Sequence, residues 1–143
     1  MPLLLKPSAA LLCAPLLALG LSACAKTLST SGLSGESKRV AETIKNLQSD
    51  VTAGEEKKIC QKDLASTVVK GLSSAKGGCQ QAIKDQLAEI DSFEVTIDSV
   101  QLGGTSAART ATARVKSVYS GKKRTSTVSL VKESGKWKVS SLG

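Results

Sequence analysis

The apolar residues of this chain fall into three regimes, and each predicts a different kind of element. Residues 9–20 form a short apolar run broken by Pro15 and preceded by Lys6 and Pro7. As a helix this run would be roughly 18 Å long at about 1.5 Å per residue, too short to cross a hydrocarbon core of about 30 Å. From residue 36 the spacing becomes helical. Val40, Ile44, Leu47 and Val51 make one stripe over residues 36–52, closed by Ala53-Gly54 in the manner of a helix end. Cys60, Leu64, Val68 and Leu72 make a second stripe over residues 55–72. Glu55 and Glu56 fall in its first turn, where the helix dipole favours negative charge. Its later part, residues 66–69, is rich in β-branched side chains and is expected to fray or turn early. Gly77-Gly78 then breaks the chain before a third stripe of Cys79, Ile83, Leu87 and Ile90.

From residue 93 the period drops to two. Val95, Ile97, Val100 and Leu102 mark a first strand, and the slip in parity between Ile97 and Val100 predicts a bulge or bend. Gly103-Gly104 reads as a turn. Residues 107–119 follow, with Ala111, Ala113 and Val115 alternating against Thr112, Arg114 and Lys116. Ser120-Gly121 leads into residues 123–132, carrying Val128 and Leu130, and Ser134-Gly135 into residues 136–142, carrying Trp137 and Val139. Four strands on short turns make an antiparallel meander with one apolar and one polar face. The class is α+β: three N-terminal helices cover the apolar face of a four-stranded sheet. Residues 36–143 form one domain with one core.

The N-terminal run is a secretory signal in layout: a basic residue, an apolar centre, then small residues. It ends in Leu21-Ser22-Ala23-Cys24. This resembles the lipobox of bacterial lipoproteins, an aliphatic residue and two small ones before an obligatory cysteine. The resemblance implies cleavage set by Leu21, Ser22 and Ala23, and an acyl lipid of the palmitate type on Cys24, which becomes the first residue of the mature chain. It places the protein at the outer face of the cell membrane, held by a lipid anchor. The alternatives are a plain secretory signal cut elsewhere and an uncleaved membrane anchor. Residues 24–35, rich in Ser, Thr and Gly, form a flexible tether with a reach of about 18 Å.

Charge and cysteines refine this picture. The whole chain carries 20 basic and 12 acidic residues, a formal charge of +8, and loses only Lys6 with the signal. On a tethered domain such a balance suits anionic head groups or acidic wall polymers; a solvated surface without a specific partner explains it as well. Nucleic acid is a poor third choice and is not expected as a partner, for want of a binding motif and with an aromatic inventory of Phe93, Tyr119 and Trp137. Of the four cysteines, Cys13 leaves with the signal and Cys24 is consumed by lipid. Cys60 and Cys79 remain on two neighbouring helical stripes, in a compartment that permits disulfides. A bridge would staple the helices; two buried free thiols are the alternative.

Helices first, a cysteine in the second, a Gly-Gly-Cys start to the third, then a meander ending in Gly135-Lys136-Trp137-Lys138-Val139: residues 37–143 resemble the small secreted lipoproteins of the nuclear-transport-factor-2-like superfamily. The resemblance implies a cone, with helices packed on a strongly curved sheet and a pocket between them. Some members are isomerases, dehydratases or cyclases, and many only bind small molecules or protein partners.

Candidate chemistry is sparse. The chain has no histidine, the commonest general acid or base, and a hydrolase triad has no member to relay protons. Asp98 on the first strand, Asp91 before it and Tyr119 are the candidate pocket groups, with Trp137 either packed in the core or lining the pocket mouth. No zinc pattern and no phosphate loop is present, so neither a metal nor another cofactor is expected. Lys122-Lys123-Arg124, with Lys57-Lys58, could form a basic patch for lipid. The small inward side chains Ala111, Ala113, Val115 and Val128 leave room for a modest apolar cavity, unless Leu87, Ile90 and Trp137 fill it. These features predict a non-catalytic module that binds an apolar ligand or a protein partner. The alternative is an isomerase- or dehydratase-like enzyme using a carboxylate in the cone.

Overall fold

The computed structural model describes residues 32–90, 93–119 and 121–143. The lipobox residues Leu21, Ser22, Ala23 and Cys24, and Asp91, lie outside the described residues, as does the side chain of Tyr119. No helix among the described residues is long and apolar enough to cross a membrane.

The first helix, α1 (Gly35–Ala53), buries Val40, Ala41, Ile44 and Leu47 along the expected stripe. Gly54 ends it in the left-handed conformation at φ 66°. Its N–H bonds the Val51 carbonyl at 3.2 Å, and the Glu55 N–H bonds that of Asp50 at 2.9 Å. This six-to-one plus five-to-two pair is the Schellman closure, which favours glycine because a side chain strains a positive φ. The closure fixes Asp50 in the last turn of α1.

The expected second helix is broken, a correction to the sequence reading. It begins as a single α-turn, α2 (Glu56–Lys58), and widens at once into a π turn over Ile59–Asp63. The Leu64 N–H reaches back five residues to the Ile59 carbonyl at 3.1 Å. Leu64 and Ala65 are extended. Leu64 bridges Val139 in parallel, and the Ala65 N–H bonds the Val139 carbonyl at 2.8 Å. The exposed edge of the last strand thus captures two residues that would otherwise continue the helix, and the edge is covered in return. Helix α3 (Ser66–Ser73) restarts with its first N–H and the Ser66 hydroxyl held by the Glu133 carboxylate, a charge well placed against a helix N-terminus. Helix α4 (Gly78–Leu87) follows, burying Cys79 and Ile83. The described helices therefore number four and a π turn, where three were expected.

The meander is as expected: β1 (Phe93–Gly104), β2 (Arg109–Tyr119), β3 (Lys122–Glu133) and β4 (Lys136–Leu142), paired in sequence order and antiparallel. The register of β1 on β2 shifts between Ile97 and Ser99, so Asp98 is the bulged residue. The first turn lies later than Gly103-Gly104, with Thr105 N–H bonded to the Ala108 carbonyl at 3.2 Å. Gly104 stands at φ 78°, and a Cβ there would lie 2.1 Å from the Ala108 oxygen.

One hydrophobic core joins the two layers. It takes Val40, Ile44 and Leu47 from α1, Ile59 and Cys60 from the π turn, Cys79 and Ile83 from α4, and Ile97, Ala111, Ala113, Val115, Val128, Leu130, Trp137 and Val139 from the sheet. Ala111 and Ala113 on the second strand are almost fully buried. Small side chains there let the helical layer come close, so the room they leave is taken up by packing. Trp137 is 5% exposed and sits in this core, while Leu87 packs against it from the side.

Cys60 and Cys79 form a disulfide with 6.2 Å between Cα atoms, tying the π turn to the first turn of α4.

Candidate functional site

The π turn does more than interrupt a helix: its last residue is Asp63, which is 4% exposed. It lies at the base of a cleft of about 630 Å3 between α1, the π turn and the start of β4. Arg39, Thr43, Asn46 and Asp50 of α1 form one wall. Gln61 and Lys62 form the second, with Gly135, Lys136, Trp137 and Lys138 closing the third.

Two carboxyl groups meet at this base. Burial pushes the Asp63 carboxyl up to about 7, the charge of Asp50 and a hydrogen bond with it push the same way, and Lys138 and Lys62 oppose them. A carboxylate that loses water and faces a second carboxylate keeps its proton to higher pH, because two adjacent like charges cannot both be stabilised in a dry site. Asp63 Oδ2 has no hydrogen-bond partner among the described residues. Asp50 is less enclosed, its side chain 18% exposed with the Lys58 ammonium 4.0 Å away. Lys58 also pairs with Glu55 at 3.1 Å.

Lys138 supports the turn from the strand side. Its Nζ donates to the Gln61 carbonyl at 3.0 Å and to the Lys62 carbonyl, the free carbonyls of a helix end. Burial lowers its pKa, while Asp63 and Glu133 hold it up. The arrangement is two adjacent carboxyl groups, Asp63 the more buried, with lysines around them.

Above the cleft a second polar cluster fixes the start of α1. Glu36 Oε2 accepts from Trp137 Nε1 at 2.8 Å and from Lys132 Nζ at 2.9 Å, and Glu36 Oε1 accepts from Arg39 at 3.1 Å. The bond from Lys132 and then that from Trp137 hold the Glu36 carboxyl below its ordinary value. The Lys132 ammonium also lies 5.8 Å from the Trp137 ring centroid. The indole of Trp137 therefore packs in the core with its N–H satisfied, and its edge reaches the cleft.

The other sequence candidates are elsewhere. Asp98, on its bulge, pairs with Lys116 at 3.2 Å and borders a groove of about 620 Å3 on β1, β2 and β3 with Thr96, Val118, Lys123 and Thr125. Tyr119 ends β2, opposite Phe93 and Lys122. Asp98 and Trp137 are not brought together, and the interior between helices and sheet is core.

Asp50, Asp63, Glu36 and Lys138 escaped the sequence reading. Asp63 carried a usable signal: it lies four residues after Ile59 and three after Cys60. An acid at helical spacing from buried positions is itself expected to be buried. Among the described residues no group of three or more histidine, cysteine, aspartate or glutamate side chains comes together as a metal site would require.

No family model matches the chain. No curated protein matches it either. Among solved structures the chain is similar to a variant of Rd1NTF2_05, a designed protein of the nuclear-transport-factor-2-like kind. The identity is 18%, over 71% of this chain and 92% of that one, with a TM-score of 0.44. A likeness of that size carries no argument about function.

Proposed function

We propose that this chain is a lipid-tethered, extracytoplasmic binding module of the nuclear-transport-factor-2-like kind, and that its ligand, or a polar segment of a protein partner, enters the Asp63 cleft. The tether rests on Leu21-Ser22-Ala23-Cys24 at the end of a short apolar run. The superfamily reading rests on the order of elements, helices first and a four-stranded meander after them. The choice of cleft rests on one observation above all: a carboxyl 4% exposed, with an oxygen unpartnered among the described residues, borders an open polar cleft. An unmet buried acceptor costs about 1–3 kcal/mol, and proteins keep such groups where a ligand or a proton makes use of them. The sheet's inner face, where an apolar ligand was expected, is occupied by the core.

A second reading has an observation of its own. A carboxyl pushed up to about 7 can take and return a proton near neutral pH, as an isomerase- or dehydratase-like enzyme requires. Here the carboxylate is Asp63 and not Asp98.

A fragment screen by ligand-observed NMR separates these readings. Wild type, Asp63→Asn and Asp98→Asn would be screened together. Hits should weaken tenfold or more in Asp63→Asn and persist in Asp98→Asn. Hits indifferent to Asp63→Asn overturn the choice of cleft. A hit that is chemically converted, with a rate cut about a hundredfold or more by Asp63→Asn, favours the enzyme.

A further inference from the structure

We propose that the Asp50–Asp63 pair is the seat of an ammonium group, and that the cleft takes a small zwitterion, such as a free amino acid or short peptide, whose acidic end faces Lys62 and Lys136. This rests on the reading of the cleft as the binding site and names the ligand class.

Three features lead to it. First, Asp63 Oδ2 lacks a donor among the described residues, and a carboxyl pair of net negative charge favours a cationic one. Second, the pair runs from the interior to the open: Asp63 is 4% exposed and the Asp50 side chain 18%. A ligand ammonium that meets Asp50 first can take the place of the proton held on Asp63. Third, the rim has the opposite sign. Lys62 and Lys136 border the cleft with no carboxylate within 4 Å among the described residues. Lys138 is already committed to the Gln61 and Lys62 carbonyls. A simple anion would meet the acids in the floor, and a simple cation would meet the lysines at the entrance. A molecule carrying both charges satisfies both.

The proton balance follows. With the pair holding one proton, binding of R–NH3+ expels that proton to solvent and leaves both carboxylates ionised against the ammonium. Facing Asp63 are Asp50 from α1, Lys62 on the π turn itself and Lys138 from β4. Behind them Lys58 of α2 stands against Asp50, and Glu133 of β3 acts on Lys138. Because ligand and proton compete, affinity rises with pH, by roughly tenfold per unit below the pair's titration.

The test is an amide-detected NMR titration of the purified protein at about pH 5.5 and about pH 7.5, with three probes: glycylglycine, ethylammonium chloride and N-acetylglycine. Glycylglycine should move the amides of Asp63, Leu64 and Lys136, at least about tenfold more tightly at the higher pH. Ethylammonium should act at the same amides, more weakly, with the same pH direction, and Asp63→Asn should remove that pH dependence. N-acetylglycine should leave these amides in place. The proposal is overturned if N-acetylglycine binds as well as glycylglycine, if affinity falls as pH rises, or if no probe moves these amides at about 0.1 M, a concentration that would report even a millimolar dissociation constant. In each case fragments of another class could still bind at Asp63 in the screen above, so the two failures are told apart.

Discussion

At the scale of single residues, Asp63 stands out among the described residues, and its neighbours explain why. Asp63 ends the π turn with its carboxyl against Asp50, largely out of contact with water. Its carboxyl goes from an ordinary value of 3.8 up to about 7. The proton is thus held more tightly in the folded state than in the unfolded one. The stabilisation it confers is complete below about pH 4 and is lost as pH rises through about 7. A carboxamide in place of this carboxyl would offer Asp50 a permanent donor and could not ionise. Asp63→Asn should therefore gain on wild type between about pH 4 and about pH 7, by on the order of 4 kcal/mol, with a constant gap above. Urea unfolding at a series of pH values measures it, and a gap independent of pH would mean that Asp63 titrates as an exposed acid does. Trp137 shows the opposite case. The sequence left Trp137 either in the core or at a pocket mouth, and its partner Glu36, 101 residues away, left no local trace.

At the scale of elements, what was legible followed from period. Stripes of 3.6 gave α1 and α4, alternation gave four strands, and the parity slip after Ile97 gave the bulge at Asp98. The break after Asp63 was not legible, because Leu64, Val68 and Leu72 keep helical spacing on paper. The competitor is remote: the open edge of β4 offers Leu64 and Ala65 a bridge and a hydrogen bond at Val139. The disulfide then secures this irregular piece, since Cys60 lies in the π turn and Cys79 opens α4, 19 residues apart. Reducing it should cost roughly 3 kcal/mol for a loop of this length. The loss should show first at the turn it holds. In hydrogen exchange, the Leu64 and Ala65 amides should speed up in reduced protein before those of α1 and the central strands. Uniform acceleration across the domain would mean that the bridge acts only on the unfolded chain.

At the scale of the whole molecule, the described domain is two layers joined by one core, with its ends well separated. Glu36 at the start of α1 binds Lys132 and Trp137, near the β3–β4 turn. The basic tip Lys122-Lys123-Arg124 begins β3 at its other end, about 33 Å away along ten residues of strand. Lys57 and Lys58 belong to α2, and Lys58 is tied to Glu55 and Asp50. The start of α1 and the basic tip are therefore at opposite ends of the sheet, and the cleft opens beside the start of α1. The proposed tether depends on Cys24. Replacing Cys24 with Ser should release the domain to the medium or leave uncleaved precursor. The most direct measurement is the intact mass and N-terminal sequence of the native protein drawn from the membrane fraction. The proposed tether requires a chain that begins at Cys24 and carries acyl groups, two or more chains being needed for stable anchoring. Soluble protein with an unmodified N-terminus at another residue would contradict it.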